Sequence, residues 1–400
     1  MNICLVTQEI GKIPSGVVSV ISQLASEWKE DDKLFILMNK HHWAYETLSA
    51  DFQNNPQVSL KLLPFLLLSE RFFLLSNRIK NTHFLLLVKI LTRSFRWLEM
   101  LVVSIWVKFW LQKESIHTVI SHNGGWPGGE LNRWSIWSSW LSRVPCSYLV
   151  IHNLPWNPPF FFRPFDLVRN RLIESVSNGV ITVSDSCAKS LKSGAYFKTV
   201  PGVIYNGIAL PSNAKIHKDS VINKELTRIA FIGEIHPRKG VDILINALSY
   251  ISKPCELILV GSGDQNYIEE LSLLSKQQKW KTKNMGFSSN VEQYYLSCDI
   301  VVLPSVEFES FGMTLIEAMC YSLPVVCSDF GGMKEVVEDG VNGYVVPARN
   351  PALLGLKLNS LVNNPELRRR MGVAGRKRVL RKFTADSMVK KYQSLCHIDE

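Results

Sequence analysis

Short apolar runs alternate along the chain with stretches in which apolar positions fall three or four residues apart. Runs of this length bounded by turn residues read as buried strands, and the spaced patterns between them read as helices. In the first half strands are expected at 2–7, 33–38, 117–121, 147–151 and 179–183. After Val203 the chain turns polar and turn-rich (IYNGIALPSNAKIHKDS), and strand character resumes at RIAFIGE, so residues 206–226 are expected to be a linker. The second half predicts strands at 228–233, 256–260, 283–287, 299–303 and 324–327, with helices near 240–251, 265–278, 291–298 and 312–322. The alternation predicts an α/β protein of two Rossmann-like, doubly wound domains, 1–205 and 227–382, facing across a cleft, with no internal repeat. Ligands of such sheets bind at the carboxyl ends of the strands.

A chain of 400 residues exceeds what one hydrophobic core holds, which agrees with two domains. The opening MNICLVTQEI has no basic stretch before an apolar segment, so no signal peptide is expected. Eight scattered cysteines, without Cys-x-x-Cys or zinc-type spacing, read as reduced thiols of a cytoplasmic protein. The formal charge of +10 is concentrated: residues 60–113 carry nine Lys or Arg against Glu70 and Glu99, among leucines and Trp97, Trp106 and Trp110. Lys89, Arg93, Arg96, Glu99 and Lys108 interrupt every window of about 20 apolar residues that a spanning helix needs. On a helical wheel Lys89, Thr92, Arg93 and Arg96 share one polar stripe. That pattern suits a helix lying on an anionic membrane, with the tryptophans inserted, or equally a core helix with its charged stripe in water. Basic residues mixed with leucine and tryptophan do not form the polar stripe that a nucleic-acid binder uses.

Neither half offers Gly-x-Gly-x-x-Gly after a strand. Gly261-Ser262-Gly263 comes nearest, with Asn266 where a third glycine belongs, and a Walker loop is absent. The chemistry gathers instead in residues 304–346. A strand ends in the acidic loop PSVEFES, and a helix begins at about Gly312, so the N–H groups of Gly312, Met313 and Thr314 make an anion site suited to a diphosphate. The dipole alone contributes about 0.3–1 kcal/mol, so a cation should converge on the same phosphates, and Arg238 and Lys239 in GEIHPRKG can supply it. Glu317, on the helix, can reach back to paired hydroxyls such as those of a ribose. Glu309, in the loop, can face a sugar beyond the phosphates.

Glu309-Ser310-Phe311-Gly312-Met313-Thr314-Leu315-Ile316-Glu317 resembles the Glu-x7-Glu signature of glycosyltransferase family 4, and the likeness continues through Pro324-Val325-Val326, Gly331-Gly332, Glu335 and Asn342-Gly343. The resemblance implies the two-domain GT-B fold, with acceptor binding in the N-terminal domain, nucleotide-sugar binding in the C-terminal one, and a last helix, about 383–396, crossing back. It implies that Glu317 holds the ribose, Glu309 faces the donor sugar, and the loop and helix start (Ser310 to Thr314) with Lys239 or Arg238 hold the diphosphate. Gly16, in a loop after the first strand, and Gly261 are expected at the nucleotide sugar, and His152 at the donor sugar or acceptor. Ser184 and Asn206-Gly207 also stand where the family has such residues. The chain departs from the family in having Glu234 where an arginine is usual after Gly233, and Ala209 where an aspartate follows Asn-Gly.

The resemblance further implies retaining transfer of a sugar, here from a UDP- or GDP-linked donor. With basic side chains and a helix start at the leaving group and no Asp-x-Asp, no metal site and no cofactor are expected. The basic, tryptophan-rich first half suggests a lipid-linked saccharide acceptor in bacterial surface-polysaccharide (O-antigen) assembly, at the inner face of the membrane. A catalytically silent subunit that binds nucleotide sugar within a membrane complex, and a GT-B sugar-nucleotide epimerase, are the alternatives.

Overall fold

The computed structural model describes residues 1–9, 16–28, 31–76, 82–125, 129–153, 163–194, 196–211 and 226–396, with side chains except at 73, 75–76, 82–97 and 163–166. The linker expected at 206–226 falls mostly outside them. Two compact units are present: Met1–Ile204 with Met388–Glu400, and Tyr205–Ser387.

The first unit is built on a parallel sheet of β1 (Asn2–Thr7), β2 (Lys33–Met38), β3 (Val58–Leu62), β4 (Thr118–Asn123), β5 (Cys146–Ile151), β6 (Gly179–Thr182) and β7 (Gly202–Val203), in the order β3-β2-β1-β4-β5-β6-β7. Every residue of β4 and β5 is buried, as a sheet covered by helices on both faces requires. The last helix, Ala385–Cys396, starts in the second unit, yet from Met388 on it packs in the first. Met388, Val389, Tyr392 and Cys396 join a core with Ile3, Ile120 and Val150, and the Tyr148 hydroxyl donates to the Leu395 carbonyl at 3.2 Å.

The second unit repeats the plan with β8 (Thr227–Ile232), β9 (Cys255–Val260), β10 (Lys281–Asn284), β11 (Ile300–Leu303), β12 (Val325–Ser328) and β13 (Gly343–Val346), ordered β10-β9-β8-β11-β12-β13 and parallel throughout. The doubly wound α/β reading therefore holds for both units. Three strands had no counterpart in the expected set: β3, β7 and β13. β3 (VSLKL) is an edge strand with alternating exposure, so it lacks a continuous apolar run. β7 is two residues long, and β13 opens on Gly343, where a Cβ would lie 2.1 Å from the Val325 carbonyl oxygen. The strand expected at 283–287 lies instead at Lys281–Asn284, because Met285 and Phe287 are exposed rather than buried, while Lys283 forms an ion pair with Glu256 of β9 at 2.7 Å.

A long helix, Thr82–Lys113, corrects a second expectation. Its basic stripe at Lys89, Arg93 and Arg96 lies outside the described side chains. Trp106 and Trp110 do not project outward. They stack on each other at 6.2 Å, Phe35 and Phe65 meet them edge-on, and Trp110 is buried. The outward row is Leu98, Leu101, Val102, Ile105 and Phe109, each more than half exposed. Among the described residues no helix is long and apolar enough to cross a membrane. All eight cysteines are free and buried, and burial pushes the Cys255 and Cys320 thiols up to about 12.

Candidate functional site

In the second unit β8 and β11 lie side by side, but the chain leaves β8 toward β9 and β11 toward β12. Their carboxyl ends therefore diverge, which opens a crevice at the switch point of the sheet. After β8 the loop 233–236 runs into a 3-10 turn, Pro237–Lys239, where the His236 ring accepts the Arg238 N–H at 3.2 Å. The Val306 N–H donates to the Arg238 carbonyl at 2.9 Å, stitching this turn to the loop after β11. Across that seam the Lys239 Nζ donates to the Glu309 carboxylate, with the Ser305 hydroxyl 3.5 Å from the same oxygen. The pair is largely shielded, with 12% and 19% of the two side chains exposed, so it attracts more strongly than a pair in open water. Two residues singled out for different duties, phosphate and sugar, are thus in direct contact.

The Glu309 backbone is fixed from behind. Its carbonyl accepts the Gly332 N–H at 2.9 Å, and Gly331, at φ +66°, passes so close that a Cβ would stand 2.0 Å from the Glu309 oxygen. Gly331→Ala should therefore destabilise the protein by about 1–3 kcal/mol, the cost of a strained left-handed residue, and should lower Tm while displacing Glu309. Thermal unfolding with and without nucleotide checks it, and an unchanged Tm contradicts the packing described.

Helix Met313–Cys320 starts at Gly312, whose φ of +90° and contacts with Leu315 and Met333 leave no room for a side chain. The Thr314 hydroxyl donates to the Ile232 carbonyl at 3.2 Å, tying the helix start to the end of β8. The first-turn N–H groups, including those of Met313 and Thr314, lack intrahelical acceptors and lie beside the carboxyl end of β8. Phe311 is buried, stacked on Tyr205 at 6.0 Å and edge-on to Phe383 at 5.6 Å, and Ser310 is buried beside it, so packing occupies the Phe311 side chain. Partly buried Glu317 accepts the Tyr295 hydroxyl at 2.6 Å, and Tyr295 stacks on Tyr321. Burial raises the Glu317 carboxyl above its usual range, while the Tyr295 hydrogen bond pulls the other way. Sequence reasoning missed Tyr295; its signal was a tyrosine on the inward face of the short helix Glu292–Ser297.

Arg238 does not converge on Lys239. Its guanidinium donates to Glu234 at 2.8 Å, so the carboxylate after Gly233 holds that cation. At Gly261 a Cβ would lie 1.8 Å from the Gly233 oxygen; that close strand-end packing accounts for the glycine.

In the first unit Gly16 is the exposed first residue of helix Gly16–Glu27, with open space around it, and residues 10–15, which precede it, lie outside the described residues. His152 follows β5 directly. Its backbone N–H donates to the Asn123 carbonyl at 2.9 Å, and its Nε2 lies 3.0 Å from Nδ1 of His122 on β4. Burial pushes His152 down to about 4 and holds His122 well below the usual imidazole range, where the adjoining His152 ring adds to the effect, so the pair is neutral near pH 7. His152 is thus a neutral hydrogen-bonding group at the end of β5. Ser184 caps helix Asp185–Ser193 by accepting the Cys187 N–H at 3.1 Å, and Gly207 gives room to the Thr384 carbonyl, so both have structural duties.

Residues 212–378 match the family model of glycosyl transferases group 1. An uncharacterized glycosyltransferase of Methanocaldococcus jannaschii is 32% identical over 216 residues, covering 53% of this chain and 57% of the relative. The phosphatidyl-myo-inositol mannosyltransferase of Mycobacterium leprae is 31% identical over 179 residues, covering 42% and 46%. The chain spans about half the length of the curated relatives it matches. The crystal structure of Anabaena HepE in complex with UDP superposes with a TM-score of 0.70 at 18% identity, covering 98% of this chain and 99% of that one. The two parallel-sheet units accordingly have the GT-B fold.

Proposed function

We propose that this chain is a retaining, metal-independent glycosyltransferase of family 4, transferring a sugar from a UDP- or GDP-linked donor to a lipid-linked saccharide acceptor in surface-polysaccharide assembly. The observation that carries this reading is the meeting of Lys239, Glu309, Glu317 and the start of helix Met313–Cys320 at one switch point. The match to glycosyl transferases group 1 over the same unit, and the UDP bound by HepE, support it. The second unit binds the donor: the helix start and Lys239 hold the diphosphate, Glu317 the ribose and Glu309 the sugar. The first unit binds the acceptor, with His152 contributing a neutral ring.

The acceptor oxygen bonds to the anomeric carbon on the face from which the diphosphate departs with the bonding electrons, and the hydroxyl proton passes to a phosphate oxygen. Configuration is retained and no protein base is needed. Lys239 and the helix N–H groups offset the charge that grows on the leaving group, and Glu309 opposes positive charge on the sugar. A thermal-shift screen of UDP- and GDP-sugars tests binding, since saturating ligand stabilises by RT ln(1 + [L]/Kd). Slow release of nucleoside diphosphate without acceptor, undiminished by EDTA, is the expected second result. A silent subunit shows the shift without the release, and activity abolished by chelator and restored by Mg²⁺ contradicts the metal-free step.

The same reading places the protein on the cytoplasmic membrane face, supported by the outward row from Leu98 to Phe109 and the basic excess of residues 60–113. Replacing Lys89, Arg93 and Arg96 together by Gln should weaken sedimentation with anionic vesicles at low salt, since each basic group near such a surface contributes about 1 kcal/mol. Donor hydrolysis should be untouched. Equal sedimentation by the triple variant and the wild type removes the electrostatic part of this proposal.

A further inference from the structure

Beside the outward row of helix Thr82–Lys113 lies a groove of about 620 Å³, lined by Lys61, Phe65, Val102, Ile105, Trp106, Phe109, Trp110 and Lys113. Its floor is aromatic: Trp106 and Trp110 stack within 4° of parallel, and Phe65 meets Trp106 edge-on. Its outer wall is Val102, Ile105 and Phe109, which are 52%, 52% and 64% exposed. An apolar concavity of this size has the dimensions of a small-molecule site, and a contiguous exposed apolar patch marks a surface that is covered in use.

The charged groups of the groove are both cations. Lys61 and Lys113 are exposed, and the neighbouring Lys108 lies over the Phe109 ring at 5.9 Å. A second copy of this chain would bring the same lysines, on a protein of charge +10, against themselves. What fits is a molecule with a long apolar part and an anionic head. We propose that the groove binds one long-chain phosphate lipid, its hydrocarbon against Trp106 and Trp110 between Ile105 and Phe109, and its phosphate held by Lys61 or Lys113. A flat bilayer meets the outward row and needs no concavity, so the groove adds a single-molecule site to membrane contact. The proposal rests on the membrane reading above, but its test separates the two.

The probe is dodecyl phosphate, titrated calorimetrically into the full chain below its critical micelle concentration. Saturable one-to-one binding is expected, about tenfold weaker for each two methylenes removed from the chain, and much weaker for dodecyl maltoside, which has no charge. Ile105→Trp, which fills the groove, should abolish binding, and Lys61→Gln with Lys113→Gln should erase the preference for phosphate over maltoside. These positions are exposed or lie at the groove wall, and an unchanged Tm verifies the fold of each variant. Binding to anionic vesicles without binding to the monomeric probe overturns the groove and leaves surface attachment standing. Undiminished binding by Ile105→Trp overturns it as well.

Discussion

Glu309→Gln is expected to slow sugar transfer by about 10²–10³ at saturating donor, the usual loss when one group that opposes transition-state charge is removed. Glutamine keeps the shape, the Gly332 bond to the backbone carbonyl and an acceptor for Lys239, so folding should be conserved. Affinity for the nucleoside diphosphate should hold or improve, because Lys239 no longer divides its charge between Glu309 and the phosphates. Turnover from donor-saturated rates, with diphosphate affinity by calorimetry, separates the two effects. Wild-type turnover would remove Glu309 from the chemistry.

Lys239→Ala should weaken nucleoside diphosphate binding about 10–100-fold, as expected from loss of a charge-assisted hydrogen bond of about 1.5–3 kcal/mol. Nucleoside binding should change little, since the ribose contact at Glu317 is separate. The variant also leaves the shielded Glu309 carboxylate without its partner, which lowers stability on its own account. The double variant with Glu309→Gln removes that penalty, and a double-mutant cycle isolates the coupling. If Arg238→Ala weakens diphosphate binding and Lys239→Ala does not, the phosphate role belongs to Arg238, and Glu234 is the carboxylate it leaves when ligand arrives.

How much of this was legible differs between elements for physical reasons. Central strands such as β5, β9 and β11 announced themselves because both faces are buried and nearly every residue must be apolar. Edge strands did not: β3 alternates, and β10 (KTKN) is polar throughout, held by backbone pairing to β9 and the Lys283–Glu256 ion pair. Lys239, Glu309 and Glu317 were legible because a glycine-started helix after a strand carries its own anion-binding logic. Their partners were not. Tyr295 reaches Glu317 from another helix, and His122 reaches His152 from the adjacent strand, contacts that only tertiary packing creates. Trp106 and Trp110 show the converse error, since aromatic content near basic charge says nothing about which helix face turns outward; Phe35 and Phe65 settled that.

The burial of every cysteine makes the protein its own unfolding reporter. Cys4, Cys146, Cys187 and Cys396 lie in the first unit, and Cys255, Cys298, Cys320 and Cys327 in the second. A thiol reagent added to the native protein reacts only through opening, because the thiolate is the reactive form and these thiols are both covered and, where burial is deepest, held protonated. Mass-mapped labelling therefore clocks the two units separately in one sample. Nucleotide should slow the second set more than the first, and a cysteine engineered onto the surface would stand out against a silent background.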